Sequence, residues 1–332
     1  MGVVAAAACA AACARGTDAR VHRTSGGPAI RMTSVGPGVA LEALDWGGRG
    51  QALVFLAGLG STAHVFDTFA PQFTDRFHVI GITRRGFGAS AGAPPPTSLD
   101  TLVADIGAVL DSLRLRRVVL VGHSIAGEEL TRFAELHPTR CAGLIYLDAA
   151  YDRSGVDTLA RHQPSPPGPA LQSADTATLR SIRALYARVL GVEEPESDLR
   201  ATLRFDALDR YRGPVTADSL KARVAGGGEV ARYAAVRCPA LAVYAVPDSI
   251  ADVVPYYREL DAAGRATAES LLTFVQGVVA DSRARVARLP SFHIVDLHGS
   301  NHYLFLSHPS EVARAMRTFL AAELPASHPV ER

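Results

Sequence analysis

Short, wholly apolar runs alternate along this chain with segments whose apolar residues recur every three or four positions. Ala52-Leu53-Val54-Phe55-Leu56, His78-Val79-Ile80-Gly81-Ile82, Val118-Val119-Leu120-Val121 and Gly143-Leu144-Ile145-Tyr146-Leu147 are each four or five residues long, as strands buried on both faces are. An earlier strand is expected over 39–46, ending at Gly47-Gly48. Two later ones are expected at Ala240-Leu241-Ala242-Val243-Tyr244 and Phe292-His293-Ile294-Val295-Asp296-Leu297. Between them, Leu102, Ile106, Val109, Leu110 and Leu113 fall at helical spacing over 99–113, and further helices are expected over 128–136 and 309–324. Strands alternating with helices specify an α/β fold with a mostly parallel, doubly wound sheet covered by helices on both faces.

The rhythm breaks over 151–236. This stretch holds a cluster of prolines (Pro164, Pro166, Pro167, Pro169), helical patterns over 174–190 and 198–211, and Gly226-Gly227-Gly228 near its end. It reads as a helical cap inserted between two strands of a core formed by 37–150 and 237–325, with 1–36 as a leader. A second helical insertion is expected over 266–289, near the site mouth.

Composition narrows the function. With 332 residues and 48% hydrophobic content the chain can bury a large core. Its 34 basic and 33 acidic side chains leave a net charge of +1, so no charge surplus points to nucleic acid. No apolar run is long enough to span a bilayer. Gly2 to Ala14 are apolar or small ahead of Arg15, like the apolar core of an export signal. The protein is therefore expected to be periplasmic, secreted or lipid-anchored at Cys13. The absence of a basic residue before Arg15 leaves a cytoplasmic protein with an Ala-rich leader as the alternative. Cys141 and Cys238 each open a strand. If those strands are parallel neighbours the thiols can bridge, which suits an oxidising compartment; otherwise they are two small buried hydrophobes.

The candidate chemistry starts at Gly122-His123-Ser124-Ile125-Ala126-Gly127, directly after a strand. A serine on a sharp strand-to-helix turn, with small residues two positions to either side, has its hydroxyl lifted clear of the sheet edge. By itself the pattern also fits a helix start capped by Ser124. A nucleophilic serine needs a base, and the base needs an orienting acid. Both should lie just beyond the carboxyl ends of strands. His302 follows the last strand, and Asp248 follows the strand at 240–244. Asp148 is the rival acid, and His298 the rival base, although it ends a strand. His123 is expected to pack rather than react. No His/Cys cluster has metal-ligand spacing and no Gly-rich loop suits phosphate, so no metal or cofactor is expected.

With these elements the chain resembles the α/β-hydrolase superfamily, in its branch of capped serine hydrolases, from about 39 to 324 outside the cap. The matching features are the serine elbow, the Pro239-Ala240-Leu241 strand opening, Gly299-Ser300-Asn301-His302 and His308-Pro309-Ser310-Glu311-Val312. The resemblance implies an eight-stranded sheet, with Ser124 as nucleophile, His302 as base and Asp248 as acid, although some members keep the acid after the sixth strand, at Asp148 here. It implies an oxyanion hole from the N–H groups of Ile125 and of Leu59, in the loop Ala57-Gly58-Leu59-Gly60, where Ala57 replaces the usual histidine. Arg84 stands where the family often has aspartate. Arg84 and Arg85 are expected in structural salt bridges, with a substrate carboxylate as the alternative, and Glu128 and Glu129 as favourable carboxylates at a helix start. The implied activity is hydrolysis of a small carboxylic ester or related acyl compound through an acyl-enzyme. Amide or C–C bond cleavage uses the same machinery, and a non-catalytic ligand-binding protein is the alternative from another class.

Overall fold

A computed structural model describes residues 22–23, 27–96, 98–154, 163–227 and 230–324. Its sheet has eight principal strands, labelled in chain order: β1 Ala29–Gly36, β2 Val39–Gly47, β3 Ala52–Leu56, β4 His78–Ile82, β5 Val118–His123, β6 Cys141–Leu147, β7 Ala240–Val246 and β8 Phe292–His298. Their spatial order is β1-β2-β4-β3-β5-β6-β7-β8, with the two-residue strand His22–Arg23 outside β1. Pairings from β4 through β8 are parallel, whereas β2 runs antiparallel to both β1 and β4. Alternation sorts the side chains into two layers: Val54 and Leu56 of β3 face one apolar cluster, Leu53 and Phe55 the other. The first layer is closed by helices α1 (Leu99–Ser112) and α2 (Ala126–Leu136), through Val103, Ile106, Leu130 and Phe133. The second holds Phe66, Phe69 and Phe73, and is closed by Val312, Met316 and Phe319 of the C-terminal helix Pro309–Glu323.

Three expectations need correction. The leader was expected to reach residue 36, yet 29–36 form β1, paired with β2. This strand lies near the sheet edge, with Thr33 buried and Met32 exposed, so it lacks a continuous apolar run. Residues 2–14 and Cys13 lie outside the described residues. The helix expected over 198–211 stops at Thr202, and Leu203–Phe205 pairs with Tyr211–Pro214 as an antiparallel ribbon. Asp206 nucleates the turn by accepting the N–H groups of Leu208 and Arg210 at 2.9 and 3.0 Å. The cap thus comprises α3 (Leu179–Leu190), α4 (Glu196–Thr202), this ribbon and α5 (Asp218–Gly226). The segment expected as a second insertion belongs to the 25-residue crossover α6, Ala262–Val286. Val279 and Val286 of α6 join the core, while its middle overhangs the carboxyl edge of the sheet.

β6 and β7 are neighbours, and Cys141 and Cys238 at their starts are disulfide-bonded, with Cα atoms 6.2 Å apart. Among the described residues no helix is long and apolar enough to cross a membrane.

Candidate active site

Ser124 leaves β5 with φ 56°, a left-handed conformation that a serine holds only when its surroundings enforce it. The small neighbours have clear reasons. A Cβ on Gly122 would come within 2.7 Å of Leu130 Cδ1 and 3.1 Å of Ala126 Cβ, and one on Gly127 would sit 1.9 Å from the Ala149 carbonyl oxygen. Gly122 thus leaves room for side chains of α2 against β5, and Gly127 lets α2 approach the backbone that follows β6. The helix-cap alternative does not hold: α2 has no side-chain cap bond. The Ser124 hydroxyl instead accepts from Arg153 Nη2 at 3.4 Å.

Strand register decides which acid meets His302. Leu147 of β6 is the partner of His123 of β5, so Asp148 leaves the sheet level with Ser124. Asp148 Oδ2 accepts His302 Nδ1–H at 2.6 Å. Its other oxygen accepts the Ala245 N–H at 3.1 Å and the Tyr151 hydroxyl, so three donors fix a carboxylate that is 8% exposed. Burial, and then the charge of Asp148, holds the Tyr151 phenol well above its ordinary range, keeping it a donor. The position of Asp248 differs from expectation. β7 is level with Leu147 at Val243 and runs on to Val246, so Asp248 emerges beyond Asp148. Val246 pairs with His298, and Asp248 Oδ1 bonds His298 Nδ1 at 3.0 Å, with side chains 56% and 65% exposed. The structure thus joins His302 to Asp148, and Asp248 to the rival histidine. Ser124 and His302 line one cavity but are not hydrogen-bonded to each other, as in many unliganded sites.

His123 supports the histidine loop. Its Nε2–H donates to the His302 carbonyl at 2.9 Å, and its ring packs against His302, Tyr303 and Phe305. Burial first, and His302 second, hold its pKa well below the ordinary imidazole range, so it is neutral. The N–H groups of Leu59 and Ile125 have no hydrogen-bond acceptor among the described residues, and their side chains share an apolar cluster with Phe87. Arg84 is buried and answered: Nε donates to Glu129 Oε1 at 2.6 Å, Nη2 to the Ala57 carbonyl at 2.8 Å and Nη1 to the Gly58 carbonyl at 3.3 Å. Arg85 pairs with Asp105. Glu128 and Glu129 are buried rather than solvated, and burial above all pushes Glu128 up to about 7.

Above these groups lies a cavity of about 530 Å³, walled on its apolar side by Val189 and Leu190 of α3 and Phe274 and Val278 of α6. Tyr151 and Arg153 both face it and were missed from sequence. The available signal was their position just past β6, at the carboxyl edge where such groups gather.

The chain belongs to the alpha/beta hydrolase family, whose sequence model matches residues 53–315. It is 23% identical to the 2-(acetamidomethylene)succinate hydrolase of Mesorhizobium japonicum over 287 residues, covering 83% of this chain and 90% of that protein. It is 35% identical to a non-heme chloroperoxidase of Streptomyces lividans over 108 residues, 32% of this chain and only 39% of that protein. Among solved structures, an E-2-(acetamidomethylene)succinate hydrolase superposes with a TM-score of 0.60 at 19% identity, covering 88% of this chain and 98% of that one.

Proposed function

We propose that the protein is a serine hydrolase in which Ser124 is the nucleophile, His302 the general base and Asp148 the orienting acid. The observation that carries this reading is the 2.6 Å His302–Asp148 bond set level with a serine held at φ 56°. His302 Nε2 takes the Ser124 proton as Oγ adds to a carbonyl, and the Leu59 and Ile125 N–H groups receive the oxyanion. His302 then returns the proton to the leaving group, and water enters by the same route to release the acid. Carboxylic esters and related acyl compounds are the expected substrates. The same attack opens amides, and the full-length relative whose name denotes an acetamido compound supports including them. The disulfide supports reading the chain as an exported protein, which mass spectrometry of the mature N-terminus tests.

A p-nitrophenyl ester should be turned over with a burst, and Ser124 should be labelled by a fluorophosphonate. Asp148→Asn should lower kcat by about 10⁴, since the imidazole then loses its fixed tautomer. Asp248→Asn, in the exposed pair, should change it by less than about threefold. The reverse order would return the acid role to Asp248, and an unlabelled, inactive wild type would leave the fold to a binding function.

A further inference from the structure

Arg84 and Arg85 each have carboxylate partners; among the described residues Arg153 has none. Among the described residues no carboxylate lies within ion-pair distance of Arg153, its Nε is buried without an acceptor, and its one hydrogen bond is Nη2 to Ser124 Oγ at 3.4 Å. Three of the acids that share its surroundings are engaged elsewhere. Asp148 is held by His302, Tyr151 and Ala245, and Asp152 by Arg285 Nη1 at 2.9 Å and the Ser154 N–H at 3.1 Å. Asp252 Oδ2 accepts the N–H groups of Asp248 and Ser249 at 3.0 and 2.8 Å. Glu128 is the remaining acid: burial pushes it up and the charge of Arg153 opposes that rise, but it lies beyond ion-pair distance of Arg153 and its Oε1 is itself buried without a partner. A guanidinium carries five donors in a planar fork that matches a carboxylate. Holding one partly buried and unanswered is unfavourable unless a ligand supplies the anion.

We propose that Arg153 is the receptor for a substrate carboxylate, so that the enzyme acts on monoesters or monoamides of short dicarboxylic acids, with the free carboxylate a few bonds from the carbonyl that Ser124 attacks. The class of substrate rests on the serine hydrolase reading above, whereas the carboxylate receptor does not. The spacing follows from the site. Attack needs the carbonyl carbon about 3–3.5 Å from Oγ, and a charge-assisted bond holds the carboxylate about 2.8 Å from the guanidinium, which itself lies 3.4 Å from Oγ. An uncharged acyl chain would leave that guanidinium covered and unpaired. The apolar wall of Val189, Leu190, Phe274 and Val278 then faces the remainder of the substrate.

Two measurements on the full-length protein test this. In a pH-stat assay, wild type should hydrolyse monoethyl succinate with a kcat/KM at least tenfold above that for ethyl butanoate. Arg153→Met should reduce that ratio at least tenfold, and Arg153→Lys should keep part of it. Calorimetry should detect succinate binding to Ser124→Ala but not to Ser124→Ala/Arg153→Met, with circular dichroism confirming that the variants are folded. A wild-type preference for ethyl butanoate, a ratio unmoved by Arg153→Met, or equal succinate binding by the two Ser124→Ala proteins would overturn the proposal. If neither ester is cleaved while succinate still binds through Arg153, the hydrolase reading fails and the carboxylate receptor stands.

Discussion

Arg84 ties the loop after β3 to the helix after Ser124. The Gly58 carbonyl and the Leu59 N–H belong to one planar peptide and point in opposite directions. By holding that carbonyl at 3.3 Å, the guanidinium fixes the direction of the N–H assigned to the oxyanion. Arg84→Met should therefore lower kcat about tenfold to a hundredfold at nearly constant KM. It should also destabilise the fold by about 3–5 kcal/mol, because Glu129 stays buried without its counter-ion. Adding Glu129→Met should restore stability in urea titrations without restoring kcat; recovery of both would reduce Arg84 to a packing role. Residues of this kind mark where the sequence stops being legible. Ser124 and His302 announce themselves by local motifs. The choice between Asp148 and Asp248 depends on how far β7 runs past β6, a matter of register between strands distant in sequence. Arg153 stands out only once Asp148, Asp152 and Asp252 are each seen to have another partner.

The cap is anchored to the core through α4. Asp198 at α4 accepts the Thr62 N–H at 2.9 Å, just beyond the oxyanion loop, and Ser197 donates to Asp67 Oδ2 at 2.6 Å. Burial above all raises Asp198 to about 7, with Asp67 adding to the rise and Thr62 and His64 opposing it. Burial, then the charge of Asp198, raises Glu194 to about 8. Both acids keep in the folded state a proton that the unfolded chain loses near pH 4–4.5. The folded state binds more protons at these two acids between that value and pH 7–8, so their contribution to stability falls as pH rises through this window and levels off above it. Glu194→Gln should flatten the fall and be more stable than wild type at pH 8 by about 2–4 kcal/mol. Guanidinium midpoints at pH 5 and pH 8 would show this, and an unchanged slope would refute it. At this scale the sequence was legible where burial is two-sided: β3 to β7 are unbroken apolar runs. It was opaque at β1 and at the cap ribbon, where one face is polar and a turn made by the Asp206 side chain interrupts a helical pattern.

Across the whole molecule, the disulfide and the candidate site lie at opposite ends of the same two strands. Cys141 opens β6, which ends one residue before Asp148, and Cys238 precedes β7, which runs past Ala245, a donor to Asp148. The bond closes a loop with a sequence separation of 97, and that loop includes the entire cap. Cross-linking a loop of that length removes chain entropy from the unfolded state worth about 4–5 kcal/mol, or about 6–8 °C in Tm for a chain of this size. No group of the site touches either sulfur, so the effect belongs to stability and not to chemistry. Reduction with dithiothreitol, or the pair Cys141→Ala and Cys238→Ala, should therefore lower Tm by about that amount in scanning calorimetry while leaving kcat at 25 °C within about twofold. Coincident melting of the oxidised and reduced proteins would mean that the packed β6–β7 pair already confines the cap roots in the unfolded ensemble. A loss of kcat on reduction would mean that strain at the starts of these strands reaches Asp148 through their hydrogen bonds.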